Sequence, residues 1–486
     1  MAIAAFAAAL ARPSNADTLW HMAIGKWVLT HHAIPDISRF YYTTPAGVGY
    51  DYSWLSQVLL FGVYRWLGGA GIAILSSVVA GFTVYFLYKL LERNGANMLV
   101  NLAVLCVAMV TAAAYPSGRP EMFTVAFFTL ELYILFGWVA SRGDGRGMRS
   151  GGNLIWLIPP MVVLWTNLHP GFAVAPLLIL FFLPLGREAR DRWTLAACLA
   201  ATVIAIVLNP YGWKMYLMPL EMARALPMLR GLTEWNGVAG WEAVVWGLVV
   251  ALVTCGLSLR RQPASLVLLV AGLALAAGVS SRNMPLFGVV AVSVLGLTLL
   301  PVLTRRLERV IFVQKFDVKF EAAGGWFWAI AVPLALAGAV ELGVPPMDLE
   351  FDFSPYPTAA VQFIEARNCP DNLFVRETWS SYLLWAMPGR RLFYDAKGGF
   401  SREATQAHSV LVKPKVGWRG VVDRYGLSTM LLERGSPLAV LLGEAEDWRR
   451  EYSDSLAEVY VRVPRSPTQS QGSSSGSGLS SRPEEQ

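Results

Sequence analysis

The chain has 486 residues, of which 55% are hydrophobic and only 15% charged, where soluble domains carry roughly 25% charged. A mean hydropathy of +0.45 excludes an ordinary soluble enzyme, because the apolar surplus needs a solvent other than water. The net charge of +6 would suit nucleic acid, but where the charges fall matters more than their sum.

A helix needs about 20 apolar residues to cross roughly 30 Å of hydrocarbon. The opening run, residues 2–11, would reach only about 15 Å as a helix and lacks a basic leader. It reads as a partly embedded first helix or the result of a late start codon, and not as a signal peptide. A polar outward segment, 12–70, follows. Apolar runs suited to spans then come at 71–88, 99–114, 122–140, 154–168, 171–186, 194–208, 243–259, 263–280, 285–303 and 325–340. Lys89 and Arg93, then Arg142, Arg146 and Arg149, then Arg187, Arg190 and Arg192, then Arg260 and Arg261, then Arg305 to Lys319 fall on one side. By the positive-inside rule that side is cytoplasmic, so the basic balance reports topology and needs no nucleic acid. The expected fold is a polytopic α-helical membrane protein of about ten or eleven spans. No inverted repeat is evident, which disfavours a secondary transporter.

Residues 1–343 make up this transmembrane part, and 344–465 read as a small extracytoplasmic α/β domain. Its short runs 373–376, 391–395, 429–432 and 458–463 have strand character, with helical patterns at 357–367 and 437–442 between them. The Ser/Gly-rich stretch 466–486 cannot bury a core and is expected to be disordered. Cys106, Cys198, Cys255 and Cys369 are too scattered for a disulfide framework, and no Cys/His cluster has zinc spacing.

Polar residues that interrupt apolar runs are costly in a membrane and are candidates for function. They gather on the outward side: Asp17, His21 and Lys26, the pair His31 and His32, Asp36, Asp51, Arg119 with Glu121, Asn167 with His169, Asn209, Glu221, and Arg282 with Asn283. On a helix Asp17 and His21 share a face, while Trp20, Ile24, Trp27 and Val28 suit the membrane interface. Each residue also has a plain structural role open to it. Asp17 can cap a helix, Arg119 and Arg282 can anchor headgroups, and His169 can satisfy a tight hairpin. Asn209-Pro210 can stop a helix. Glu131 sits in mid-span and is taken as packed in the bundle; the His31-His32 pair reads as surface. In the C-terminal domain Trp379, Tyr382, Asp395 and Lys397 either bind an acceptor or merely roof a cleft. Taken together, one acid, two arginines at separate span ends and many aromatics match what a lipid-phosphate substrate requires.

The first outer loop, from Asn15-Ala-Asp17 through Trp20-His21 to Lys26-Trp27 and Ile34-Pro35-Asp36, resembles the GT-C superfamily of integral membrane glycosyltransferases. The resemblance continues through Asp51-Tyr-Ser-Trp54, Arg119-Pro120, Asn167-Leu-His169-Pro-Gly171, Asn209-Pro-Tyr-Gly212 and Arg282-Asn-Met-Pro285. It implies an inverting transferase that takes sugar from a polyprenyl-phosphate donor to a glycan, lipid or protein acceptor at the outer face of a bacterial cytoplasmic membrane. By the same resemblance Asp17 is the base, Arg119 and Arg282 hold the donor phosphate, and His21, Glu121 and His169 are secondary polar contacts. Such proteins often carry two acids where this chain has Asn15 and Asp17, so the pair that would hold a divalent metal is incomplete. Two alternatives stand beside this reading: a non-catalytic flippase or lipid-binding envelope component, and a polymerase or ligase of lipid-linked oligosaccharides.

Overall fold

The computed structural model describes residues 13–45, 50–92, 118–142, 154–221, 224, 237–259, 262–307, 349–395 and 402–463. The expected spans at 99–114 and 325–340, the opening run 2–11 and the tail 466–486 lie outside the described residues. The chain divides into two compact units, one formed by Met1–Ile37 with Val48–Phe353 and the other by Ser38–Gly47 with Ser354–Gln486.

The first unit is helical. Helix α1 (Ala16–His31) starts where the Asn15 side chain accepts a hydrogen bond from the Asp17 N–H at 2.7 Å, and it ends at His32 in the left-handed region. The cap is therefore Asn15, not Asp17. The face expected to lie in the membrane interface is instead packed inside: Trp20, Ile24 and Val28 are buried, and α1 runs along α2 (Trp54–Glu92). Gly25 allows this approach, since a Cβ there would lie 2.1 Å from the Gln57 carbonyl oxygen.

Helix α2 is two helical pieces joined at Gly68, whose φ of 60° and ψ of −149° only glycine adopts readily. The expected span 71–88 is the second piece. Next come α3 (Glu121–Ser141), α4 (Ile158–Leu168), α5 (Val174–Phe182), α6 (Ala189–Ile206), α7 (Gly240–Leu259), α8 (Ala264–Val279), α9 (Met284–Thr298) and α10 (Leu300–Leu307). Among the described residues three helices are long and apolar enough to cross a membrane: Trp54–Glu92, Glu121–Ser141 and Ser281–Leu303. The expected spans 154–168, 171–186, 243–259 and 263–280 correspond to shorter apolar helices. The first two of these are divided from each other at His169-Pro170, where α4 ends and a 3-10 turn begins.

Helix α9 is buried on every side from Met284 to Gly296, the mark of a helix at the centre of a core. Phe128 and Trp138 of α3, Trp165 of α4 and Phe182 of α5 fill the same core. The outer faces are apolar as well: Leu177, Leu180, Ile204, Leu248, Leu268 and Leu275 are all at least half exposed. At the far end of α3, Arg142 pairs with Asp191 in the first turn of α6 at 3.4 Å. Two of the basic loops thus meet at one end of the bundle.

The second unit is α/β. After α11 (Thr358–Ala366), strands β1 (Leu373–Val375), β2 (Thr429–Glu433), β3 (Trp448–Ser453) and β4 (Ala457–Arg462) form a sheet of order β1-β2-β4-β3. β1 runs parallel to β2, and the other pairs are antiparallel. The expected strand at 391–395 is reduced to one bridge, Leu392 with Tyr41. β3, with Arg449, Arg450 and Glu451, has a largely exposed pattern and little apolar signal. Trp379, Tyr382 and Asp395 are buried: Trp379 donates to the Pro355 carbonyl at 3.2 Å, and Tyr382 stacks on Tyr356. These side chains hold the domain together, and Lys397 lies outside the described residues.

In this unit His408 packs against the rings of Phe374 and Tyr394. Burial first, then the Arg376 cation, pushes its imidazole down to about 4. A base depressed on folding contributes stability above its ordinary value of 6.5 and loses that contribution as pH falls toward about 4. The expected loss on acidification is about 3 kcal/mol. His408→Gln should flatten the acid limb of unfolding, followed by hydrogen exchange at the sheet amides of the full-length protein.

Candidate functional site

The site residues come from three distant stretches, and a glycine makes their meeting possible. Gly118 has φ of +89°, and a Cβ there would strike Thr18 and Ile72 at under 3 Å. The Thr18 hydroxyl donates to the Gly118 carbonyl at 3.1 Å, which clamps the first turn of α1 onto the chain entering α3. Asp17 and Arg119 are thereby brought into contact: an Arg119 Nη2 lies 2.7 Å from Asp17 Oδ2. The same nitrogen is 3.1 Å from Glu121 Oε1. That carboxylate oxygen also accepts from Arg282 Nη2 at 2.5 Å. Arg282 stands on the 3-10 turn Ser281–Asn283 ahead of α9, a turn held by the Asn283 amide donating to the Ala276 carbonyl at 3.1 Å.

The result is a chain of alternating charge, Asp17, Arg119, Glu121 and Arg282, with side-chain exposures of 17, 10, 13 and 26%. Arg282 is the member most open to the surroundings. Glu121 occupies the first turn of α3, where the helix dipole favours an acid. From Glu121 to Arg142 the helix covers about 32 Å at 1.5 Å per residue, so this cluster and the Arg142–Asp191 pair sit at opposite ends of one helix.

His169 joins the cluster's underside. Trp165 Nε1 donates to the Thr124 hydroxyl at 2.9 Å, and that hydroxyl lies 2.7 Å from His169 Nδ1. Nδ1 also accepts the Gly171 N–H at 3.1 Å, so it carries the lone pair and the ring hydrogen belongs to Nε2. Gly171 is required here, as a Cβ would fall 2.3 Å from the Thr124 oxygen. His21 is one helical turn from Asp17, with its ring edge-on to Trp20 at 5.0 Å. His31 stacks on Trp27, away from any ligand set. Glu131 is fully buried in α3. Among the described residues no three His, Cys, Asp or Glu side chains converge as metal ligands.

A second polar joint was not foreseen. Trp54 Nε1 donates to Asn167 Oδ1 at 2.9 Å, and the Asn167 amide donates to the Val163 and Leu208 carbonyls. Asn209 donates to the Thr166 carbonyl at 3.0 Å and accepts from the Tyr211 N–H at 3.0 Å. Asn209 thus does more than stop α6. An open groove of about 690 Å³ lies beside this joint, lined by Trp54, Leu55, Pro160, Leu164, Asn167 and Pro210 among others. The charged cluster is not part of that lining. The sequence placed these amides at the ends of apolar runs, but it did not show that they meet Trp54 and one another.

Compared with known proteins, the chain matches no family model and no curated protein.

Proposed function

We propose that the protein is a multi-pass membrane glycosyltransferase, moving a sugar from a polyprenyl-phosphate donor to an envelope acceptor at the outer face of a bacterial cytoplasmic membrane, with its C-terminal domain extracytoplasmic. The observation that carries this reading is the joining of Asp17, Arg119, Glu121 and Arg282 at one end of an apolar helical unit. The three long apolar helices and the exposed apolar outer faces support the membrane setting.

In this reading the arginines hold the donor phosphate, since a guanidinium offers paired donors to an oxyanion. Asp17 pairs with Arg119, and a phosphate that competes for Arg119 releases the carboxylate to take the acceptor's proton. The acceptor oxygen bonds to the anomeric carbon as the bond to the lipid phosphate breaks. The phosphate leaves with the electron pair, and the anomeric centre inverts. Glu121 sets the spacing of the two arginines, with His21 and His169 as further polar contacts.

The test is incubation of the purified full-length protein with radiolabelled polyprenyl-phosphate sugars. Asp17→Asn should lower transfer by about a hundredfold or more, measured on protein that folds. Full transfer by Asp17→Asn or Arg282→Ala would overturn the assignment. The groove's position, beside Trp54 and Asn167 and apart from Asp17, favours a second reading as a lipid-binding or flippase component. That reading expects lipid binding without sugar release, and an indifferent Asp17.

A further inference from the structure

One buried acid has no part in the charged cluster. Asp51, just ahead of α2, is 2% exposed, and Gln57 in the first turns of α2 is fully buried. Asp51 accepts on one oxygen only: Gln57 Nε2 donates to Oδ1 at 2.7 Å, and the Ser53 N–H donates to the same oxygen at 3.3 Å. Asp51 Oδ2 and Gln57 Oε1 are buried with no hydrogen-bond partner among the described residues. Each orphan oxygen shares a carbon with an atom of the Nε2–Oδ1 bond, so one bond of an acid–amide pair is already made. Leaving two buried acceptors unmet is expensive. A carboxylate has no hydrogen to offer Gln57 Oε1, whereas a carboxylic acid has one.

We propose that Asp51 is a proton-binding site, a neutral carboxylic acid whose Oδ2–H donates to Gln57 Oε1 and closes a cyclic acid–amide pair, and that loss of this proton to water opens the joint between residues 50–53 and α2. One proton satisfies both orphan oxygens at once. Ionisation breaks that second bond and leaves a charge where water does not reach.

The surroundings agree. Burial pushes the Asp51 carboxyl up to about 7, against the lowering effect of the Ser53 and Gln57 hydrogen bonds. From the segment after α6, Tyr211 presents its phenolic oxygen, which accepts the Asp51 N–H at 2.9 Å. Asp36 acts on the same phenol. On Asp51's own segment are Tyr50, faced by Lys214, and Tyr52, which donates to Glu221 at 2.8 Å. α1 meets this place through Gly25. Lys214 lies over the Tyr50 ring. Because the acid is raised on folding, its contribution is complete below its ordinary value of 3.8 and is lost as pH rises through about 7.

The experiment is carbon-13 NMR of full-length protein labelled at aspartate carboxyls, paired with thermal melting of wild type and Asp51→Asn. The expected result is one carboxyl resonance with a midpoint near pH 7, absent in Asp51→Asn. The asparagine amide can take the place of the acid's hydrogen, so the variant's melting temperature should not share the wild type's decline between about pH 4 and about pH 7. If Asp51→Asn does not fold, Gln57→Leu assigns the resonance by moving its midpoint. Aspartate carboxyls that all titrate below about pH 5, or a variant that follows the wild type's pH dependence, would overturn the proposal.

Discussion

Arg119→Ala is expected to destabilise the protein by about 3–5 kcal/mol, because it removes the cation that two largely buried carboxylates share. The guanidinium is 10% exposed and serves Asp17 at 2.7 Å and Glu121 at 3.1 Å. Without it Glu121 keeps Arg282, but Asp17 loses the cation beside it. Asp17→Asn in the same background should recover about 1–2 kcal/mol, the signature of coupled neighbours. The measurement is a double-mutant cycle of apparent melting temperatures in detergent. If Arg119→Ala melts with the wild type, the cluster is solvated and worth no more than a surface pair.

Gly25→Ala should destabilise the helical unit by about 2–3 kcal/mol. The added Cβ would sit 2.1 Å from the Gln57 carbonyl oxygen and 2.5 Å from its carbon. Both are backbone atoms of a helix, so no side-chain rotation relieves the clash. α1 must move away from α2, carrying Asp17 off Arg119. The expected observations are faster hydrogen exchange along α1 and loss of transfer together with stability. A Gly25→Ala protein with wild-type exchange would mean that the two helices are not closely packed.

Much of the helical unit was legible because apolar runs report burial residue by residue. The expected run 122–140 falls within Glu121–Ser141, and 285–303 within Ser281–Leu303. Breaks were less legible. Gly68 falls within the expected outward segment 12–70, yet it joins two helical pieces of α2, and the backbone of residues 349–351 lies so close to Gly69 that a Cβ there would meet it at 2.4–2.6 Å. Among the strands, β1, β2 and β4 were foreseen from their apolar residues, while β3 gains its place from pairing with β4 and not from its own composition. In the candidate site the residue types were visible, but their roles were not: Asn15 is a cap, and Glu121, taken as secondary, bridges the two arginines.

The amino-acid sequence by itself determined that the chain is rich in apolar helices, that polar groups interrupt them at particular places, and that basic residues cluster between them. These are sums of local preferences for water or its absence. Which polar groups meet was decided only by tertiary structure. Asp17 and Arg119 are about a hundred residues apart, and Glu121 and Arg282 farther still; their contact depends on how closely helices pack. Glycines at 25, 118 and 171 set that distance, and a glycine's meaning is invisible until the atoms that would crowd its missing side chain are in place.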